Sequence, residues 1–554
     1  MSVDLLIQGT IVNVHTGQLE EDGAVAIEDD EIVALAEREA DRRIETGYIT
    51  PGLIDAHVHL ESSMVTPTRY GEAVVPRGVT GVIHDPHEIA NVLGEDGVRA
   101  VIRDARQTPL KIRFAAPSSV PASPLQDTGA SLGPEAVERL LDEDLVVALG
   151  EVMNVPGVVS GEKEVHAKIQ AAREHGLPVD GHMPQVKGDD LQAAAKYIDN
   201  DHESITLSEA RAKADLGLRV YLREGSSSKN VADLADLVDQ IDSRYLSLCT
   251  DDCDVVDLVE QGGVDFALRK AIEEGIDPAT AVQMGTINTA ESYDLPFGRL
   301  RPGSPADLVL LSDLESWEVE HVVVDGEVDP VSGEGEPEPT ALPTDTVNVG
   351  NISTTDLAIA APEETVESVT VRVIDSLGGL QTGRMEAEVP VEDGLLRADI
   401  EVDVLPIAVI ERHSETTSIG TGFVHGLGLD RGAIGSTIAH DAHNLVVAGT
   451  TYEAMATVAK HLRDIDGGVA AYDPDTGTVT SLSLPAAGLI ADRPLGTVAD
   501  EFRRVQDAAT SIGIDRDACF MDLSFLSLEV IPEYRMTNNG LVDVPDMAYV
   551  DVIV

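Results

Sequence analysis

The sequence predicts an α/β protein: a (β/α)8 barrel at residues 51–300, the two halves of a small β-sandwich at 1–50 and 301–330, and a C-terminal α+β domain at 348–554. Three observations predict it. Short apolar runs alternate with helical stretches over about 250 residues, the rhythm of an eight-stranded barrel. Strand-like runs of one character stand on both sides of that stretch. A chain of 554 residues is also too long for one ordinary core.

The elements follow in order. Leu5–Val14, Gly23–Ile27 and Glu31–Ala36 read as strands bounded by turns, and Ala306–Leu311 and His321–Val324 repeat the pattern. Three strands make half of a small sheet, so the later pair is expected to complete it. Between them, strands are expected at Val79–His84, Ile112–Ala116, Val146–Glu151, Val179–His182, Leu218–Leu222 and Tyr245–Thr250. Helices are expected at Gly97–Gln107, Pro134–Asp142, Lys163–Glu174, Leu191–Tyr197, Glu209–Ala214, Val231–Ile241 and Phe266–Glu274. A doubly wound open sheet shares this rhythm, but no Gly-x-Gly-x-x-Gly follows the first strand. Residues 331–347, rich in Pro, Gly and acids, read as a linker. Beyond them come strands at Ser368–Ile374 and Val402–Val409 and helices at Thr451–Arg463 and Ala499–Ser511.

Composition narrows the partners. The chain has 99 acidic against 38 basic side chains, a formal charge of −61, and only 9 of the basic residues are lysine. Such a surface repels polyphosphate, so neither nucleic acid nor an anionic membrane is expected as a partner. A solvated acidic shell with few lysines fits high intracellular salt, where screening removes the self-repulsion. Three cysteines exclude a disulfide framework as the main source of stability. The chain shows no basic segment followed by an apolar run, and no stretch approaches about 18 apolar residues, so a cytoplasmic protein is expected.

Ionisable residues gather where barrel strands end, the place where barrel enzymes keep their sites. His57 and His59 stand two apart in Asp55-Ala56-His57-Val58-His59 and share one strand face, able to hold one ion. His84-Asp85-Pro86-His87-Glu88 ends the second strand, Glu151 the fourth and His182 the fifth; Asp201-His202-Glu203 stands where a sixth should finish, and Asp251 closes the run from Tyr245. Each alone is an ordinary loop acid, turn or structural histidine. Together His57, His59, Glu151, His182, His202 and Asp251 suit two divalent ions, with Glu151 as a possible bridge. Imidazoles and carboxylates without thiolate favour Zn, Mn, Fe or Co, and such a pair acidifies one water.

The runs PGLIDAHVHLESSM, DPHEIANVLG, LGEVMNVPGV, DGH, DHE and CTDD resemble the amidohydrolase superfamily, and in detail its adenine deaminase family. GFVHGLGLDRGAIGSTIAHDAHNLVVAG, LPAAGLIAD and FLSLEVIPEYRMTNNGLVDV extend the resemblance to the C-terminal stretch, and with the acid excess suggest a haloarchaeal member. The resemblance implies a metal-dependent barrel with His57, His59, Glu151, His182, His202 and Asp251 as ligands of a binuclear Mn(II) or Fe(II) centre, Zn(II) being a further possibility. It implies hydrolytic deamination of adenine to hypoxanthine and ammonia by a metal-activated hydroxide. Asp251 is then the general base and proton shuttle. Glu203, with Glu88 behind it, is the candidate acid for a ring nitrogen, its pKa raised by desolvation. Asp85, His87, His440, Asp441, His443 and Asn444 are candidates for a wider pocket, a further metal or a hydrogen-bonded turn. The chain departs from the family at Met183-Pro184-Gln185 and at Cys253-Asp254-Val255, which bears on the pocket more than on the ligands. Other open readings are a cyclic-amide hydrolase, a deaminase of another base, and a non-catalytic scaffold. A homo-oligomer, most simply a dimer, is expected.

Overall fold

The structure, a computed structural model, describes residues 2–330, 340–363, 366–414, 418–516 and 518–554. Residues 331–339 of the expected linker lie outside the described residues, and 340–347 has no regular secondary structure. The described residues pack as two compact units, the first drawn from 1–86, 101–118 and 133–340 and the second from 87–100, 119–132 and 341–554.

The first unit contains two β systems. A seven-stranded sheet runs in the order Glu327–Val328, Glu318–Val324, Leu308–Asp313, Ala40–Pro51, Val3–Asn13, Gln18–Glu28, Glu31–Ala34, so both flanks of the barrel contribute to it. Alternation along its strands gives it two apolar faces: Leu5, Ile7, Val25 and Ile27 pack on one side, and Leu6, Ala24 and Ala26 on the other. The long strand Ala40–Pro51 was not expected from the sequence. Its first half, Ala-Asp-Arg-Arg-Ile-Glu, is largely exposed and charged, which hides the strand period. It joins the two flanks, pairing in parallel with Val3–Asn13 and antiparallel with Leu308–Asp313.

Eight parallel strands form the barrel. Leu53–Val58, Val79–His84, Lys111–Ala116, Val146–Val152 and Val179–Gly181 make one sheet; Asn200–Asp201, Arg219–Arg223 and Leu246–Cys249 make the other. The ring is joined by a parallel bridge between Val58 and Asp251 and by hydrogen bonds from Asp199 N to Val179 O (2.9 Å) and Gly181 N to Asn200 Oδ1 (3.2 Å). The strands fall within a residue or two of expectation. The polar sixth strand is only two residues long, which explains its faint signal. His182 lies just beyond its strand rather than inside it. The helix expected at Gly97–Gln107 begins at His87 and runs to Ala105, broken at Gly94 (φ 64°).

The second unit is α+β. Its nine-stranded sheet has the order Leu395–Leu396, Gln381–Glu392, Ser368–Gly378, Ile419–His425, Val404–Ile410, Leu445–Gly449, Ala433–Ser436, Gly468–Asp473, Thr478–Ser483. Helix Tyr452–Asp464 lays Tyr452, Met455, Val458, Ala459 and Leu462, at helical spacing, on Ile410, Leu445, Val447 and Ala470. A second helix, Leu495–Ser511, and a three-stranded sheet formed by Tyr534–Thr537, Gly540–Asp543 and Ala548–Tyr549 complete it. Among the described residues no helix is long and apolar enough to cross a membrane.

Candidate metal centre

The barrel strands deliver their polar side chains to one buried cluster. Strand Leu53–Val58 carries Asp55 and His57, and His59 follows it with the same alternation. Asp55 sits deepest and is tied to Thr250 through Oδ1 to the backbone N–H (3.1 Å) and Oδ2 to the hydroxyl (2.6 Å). Burial still pushes its carboxyl up to about 7. Above it, His57 Nε2 and His59 Nε2 approach to 3.2 Å. The Nδ1–H of His59 points at the carbonyl of Asp85 (2.9 Å), which selects the tautomer whose Nε2 lone pair faces the cluster. Burial and the neighbouring His202 hold His57 down to about 4, so it is neutral.

Glu151 ends strand Val146–Val152, and its two oxygens face different imidazoles. Oε1 lies 3.4 Å from His59 Nε2, whereas Oε2 lies 2.9 Å from His182 Nδ1 and 3.2 Å from His202 Nε2. Its backbone N–H donates to Asp85 Oδ2 (2.8 Å). Gly150 permits that approach, since a Cβ there would run into the same carboxylate. Asp85 therefore belongs to this cluster as a brace that orients both Glu151 and His59. Asp251 lies at the barrel seam in a left-handed conformation (φ 61°), which costs an L-residue about 1–2 kcal/mol. Hydrogen bonds from its N–H to His57 O and from His59 N–H to its own carbonyl, both 2.9 Å, hold it there. Its Oδ1 is 3.1 Å from His59 Nε2 and 3.4 Å from His57 Nε2.

These residues fit a divalent metal centre. The ligand atoms of His57–His59–Glu151, of His57–His202–Asp251 and of Glu151–His182–His202 each lie within 4.8 Å of one another. His182 Nε2 and His202 Nδ1 are buried without hydrogen-bond partners, and His202 Nε2 meets Glu151 at short range without hydrogen-bond geometry. Buried polar atoms are rarely left so. Glu151 and Asp251 supply anionic charge, and the imidazoles complete two sets of hard-to-borderline donors.

Glu203 lies 3.6 Å from His202 Nε2 and 3.8 Å from His182 Nδ1. The expectation that desolvation raises its pKa is corrected. Burial does push it up, but Arg223, His182 and His202 outweigh burial and hold it below the usual carboxylate range. Arg223 is the residue that sequence reasoning missed. It closes strand Arg219–Arg223, is fully buried, and donates to both Glu203 and Asp251. The available signal was its place at a strand end, like every other member of the cluster.

The remaining candidates gather in the second unit. Glu88, in the first turn of helix His87–Ala105, accepts from His440 Nδ1 (2.6 Å) and from His443 Nε2. His87 Nε2 lies 3.3 Å from Glu88 Oε1 and 3.6 Å from Asp441 Oδ1. Here too the expected rise in pKa is corrected: burial raises Glu88, but His440, His443 and His87 hold it well below the usual range. The backbone N–H of Ala439 donates to His443 Nδ1 (3.2 Å), so His443 Nε2 carries the proton given to Glu88. In this arrangement His443 serves Glu88 as a donor; the ligand atoms of Glu88, His440 and His443 also lie within 4.8 Å of one another. Asn444 ties the same run to the carbonyl of Asp127 (2.9 Å).

Nearby, Glu529 accepts from Ser123 (2.8 Å) and Gln126 (3.0 Å), and burial, with Asp441 adding, pushes it from 4.5 up to about 7. A carboxyl whose folded pKa is raised contributes stability that is present below the unfolded value and lost as pH rises through the folded one. Glu529→Gln is therefore expected to flatten the loss of stability between pH 4.5 and about 7, an effect on the order of 3 kcal/mol. Melting temperatures across that range check this; an unchanged slope contradicts it.

Comparison with known proteins places the chain in a family. Residues 48–328 match the amidohydrolase family and residues 380–548 the adenine deaminase C-terminal domain. The adenine deaminase of Methanothermobacter thermautotrophicus is 42% identical over 549 residues, covering 97% of this chain and 98% of its own. That of Salinibacter ruber is 38% identical over 556 residues, covering 100% and 99%. A crystal structure described as an adenine deaminase aligns with 59% of this chain and 99% of its own at 19% identity, with a TM-score of 0.47. With both matched regions and full-length relatives in agreement, the chain belongs to the adenine deaminase family of amidohydrolases.

Proposed function

We propose that this protein hydrolyses adenine to hypoxanthine and ammonia at the barrel cluster, with His57, His59, Glu151, His182, His202 and Asp251 holding two divalent ions, Mn(II) or Fe(II) by family and Zn(II) by donor chemistry. The observation that carries the site is Glu151, whose Oε1 faces His59 while its Oε2 faces His182 and His202. Full-length likeness to proteins named adenine deaminase supplies the substrate. When bound, the ions lower the pKa of a water so that it reacts at neutral pH.

The side chains account for the protons. Water attacks C6, the C6–N bond breaks, and the two protons of that water end on the leaving amine and on ring N1. Asp251 Oδ1, aimed at the same point as His57 and His59 Nε2, takes the first and passes it to the amine. Glu203, ionised beside Arg223, takes up the second and returns it to the ring, so it acts as a relay and needs no resting proton. Asp85 keeps Glu151 and the His59 tautomer in place.

Ammonia release and product identity should be measured on adenine, adenosine, guanine, cytosine and dihydroorotate, in molar KCl with Mn(II). Hypoxanthine and ammonia in equal amounts from adenine are expected. A folded, metal-loaded protein silent on adenine overturns the assignment.

A further inference from the structure

Arg223 is a cation sealed inside the barrel cluster, and nothing in the metal chemistry requires it. One of its nitrogens, Nη1, donates to Glu203 Oε1 and to Asp251 Oδ2, and Nη2 lies 3.4 Å from Glu203 Oε2. Asp251 is thus divided: Oδ2 is held by the guanidinium, while Oδ1 is left aimed at His57 and His59. The frame behind this contact is rigid. Asn230 is buried, accepts the backbone N–H of Arg223 through Oδ1 (2.7 Å), and donates its own backbone N–H to the Arg223 carbonyl (2.8 Å). Its side-chain amide donates to the carbonyl of Ser204 (2.9 Å), next to Glu203. The seventh strand end is therefore pinned to the loop carrying Glu203 independently of the guanidinium.

We propose that Arg223 is a positioning residue for the reaction: it fixes which oxygen Asp251 presents to the cluster and holds Glu203 at a set distance from it. The proposal rests on the reading of Asp251 and Glu203 as the proton carriers. Arginine suits the task because its planar, permanently charged group bonds two carboxylates in fixed directions, which a lysine ammonium does not. Two carboxylates buried this close would otherwise repel and swing apart. Arg223 also explains why the sixth and eighth strand ends can both bring acids to one small volume.

The test compares wild type with Arg223→Met and Arg223→Lys, reading kcat and KM for adenine, bound Mn per chain and the melting curve. Arg223→Met is expected to keep its metal and its fold, to leave KM within about threefold, and to lose about 100-fold in kcat, the scale of a reacting group misplaced by about 1 Å. Arg223→Lys is expected to recover part of that loss, and guanidinium ion added to an Arg223→Ala variant to recover some as well. A kcat unchanged in a folded, metal-loaded variant overturns the proposal. So does a loss in a folded variant that only follows lost metal, which would make Arg223 a structural counter-charge. If Arg223→Met does not fold, Arg223→Lys decides by the same readings. A wild type silent on adenine fails the functional reading itself, and is thereby distinguished from an active wild type with unimpaired variants.

Discussion

Asp251→Asn is expected to lower adenine turnover by roughly 10³-fold, with substrate affinity changed far less. The asparagine keeps the shape and the left-handed turn at the barrel seam, so the bridge to Val58 survives. It removes the proton acceptor that lies 3.1 Å from His59 Nε2 and 3.4 Å from His57 Nε2. Steady-state kinetics on protein with matched metal content check this. A variant within tenfold of wild type would move the base elsewhere, with Glu203 the next residue in reach of the cluster.

Glu151→Gln has an effect of similar size through a different cause. Its carboxylate faces both imidazole sets, so the neutral amide loses the charge between them while keeping the hydrogen bond from its backbone to Asp85. Bound metal is expected to drop below two ions per chain, and turnover to fall with it by at least about 100-fold. Elemental analysis beside an activity assay separates the two quantities. Full metal occupancy with low activity would give Glu151 a role other than bridging.

Much of this architecture was legible because apolar periodicity is local. Val79–His84 and Lys163–Glu174 occur with the bounds their residue patterns suggest. The strand-end cluster was legible only as a set, since a lone H-x-H is a weak signal and it is the recurrence of His, Asp or Glu at several strand ends that points to one site. The features that escaped are those decided by distant partners. The strand Ala40–Pro51 carries charge on its exposed half, and its pairing with residues more than 250 positions later is what makes it a strand. The strand Asn200–Asp201 exists only because its neighbours hold it.

The site follows the same division. Arg223 belongs to no motif in the sequence, and its partners Glu203 and Asp251 lie 20 and 28 residues away. Glu88 meets His440 and His443 across more than 350 residues. Without those partners, burial alone suggests carboxyls with raised pKa values. With them, the sign reverses at Glu203 and Glu88, while at Asp55 and Glu529 burial outweighs the hydrogen bonds each accepts and the upward shift to about 7 stays.

One titration bears on the whole reading. Protein stripped of metal by a chelator is given Mn(II) in steps, and hypoxanthine formation from adenine is followed together with bound metal. Activity should be absent at the start and rise to a plateau at two ions per chain. A plateau at one ion, or two tightly bound ions with no turnover of adenine, would contradict a paired centre built around Glu151.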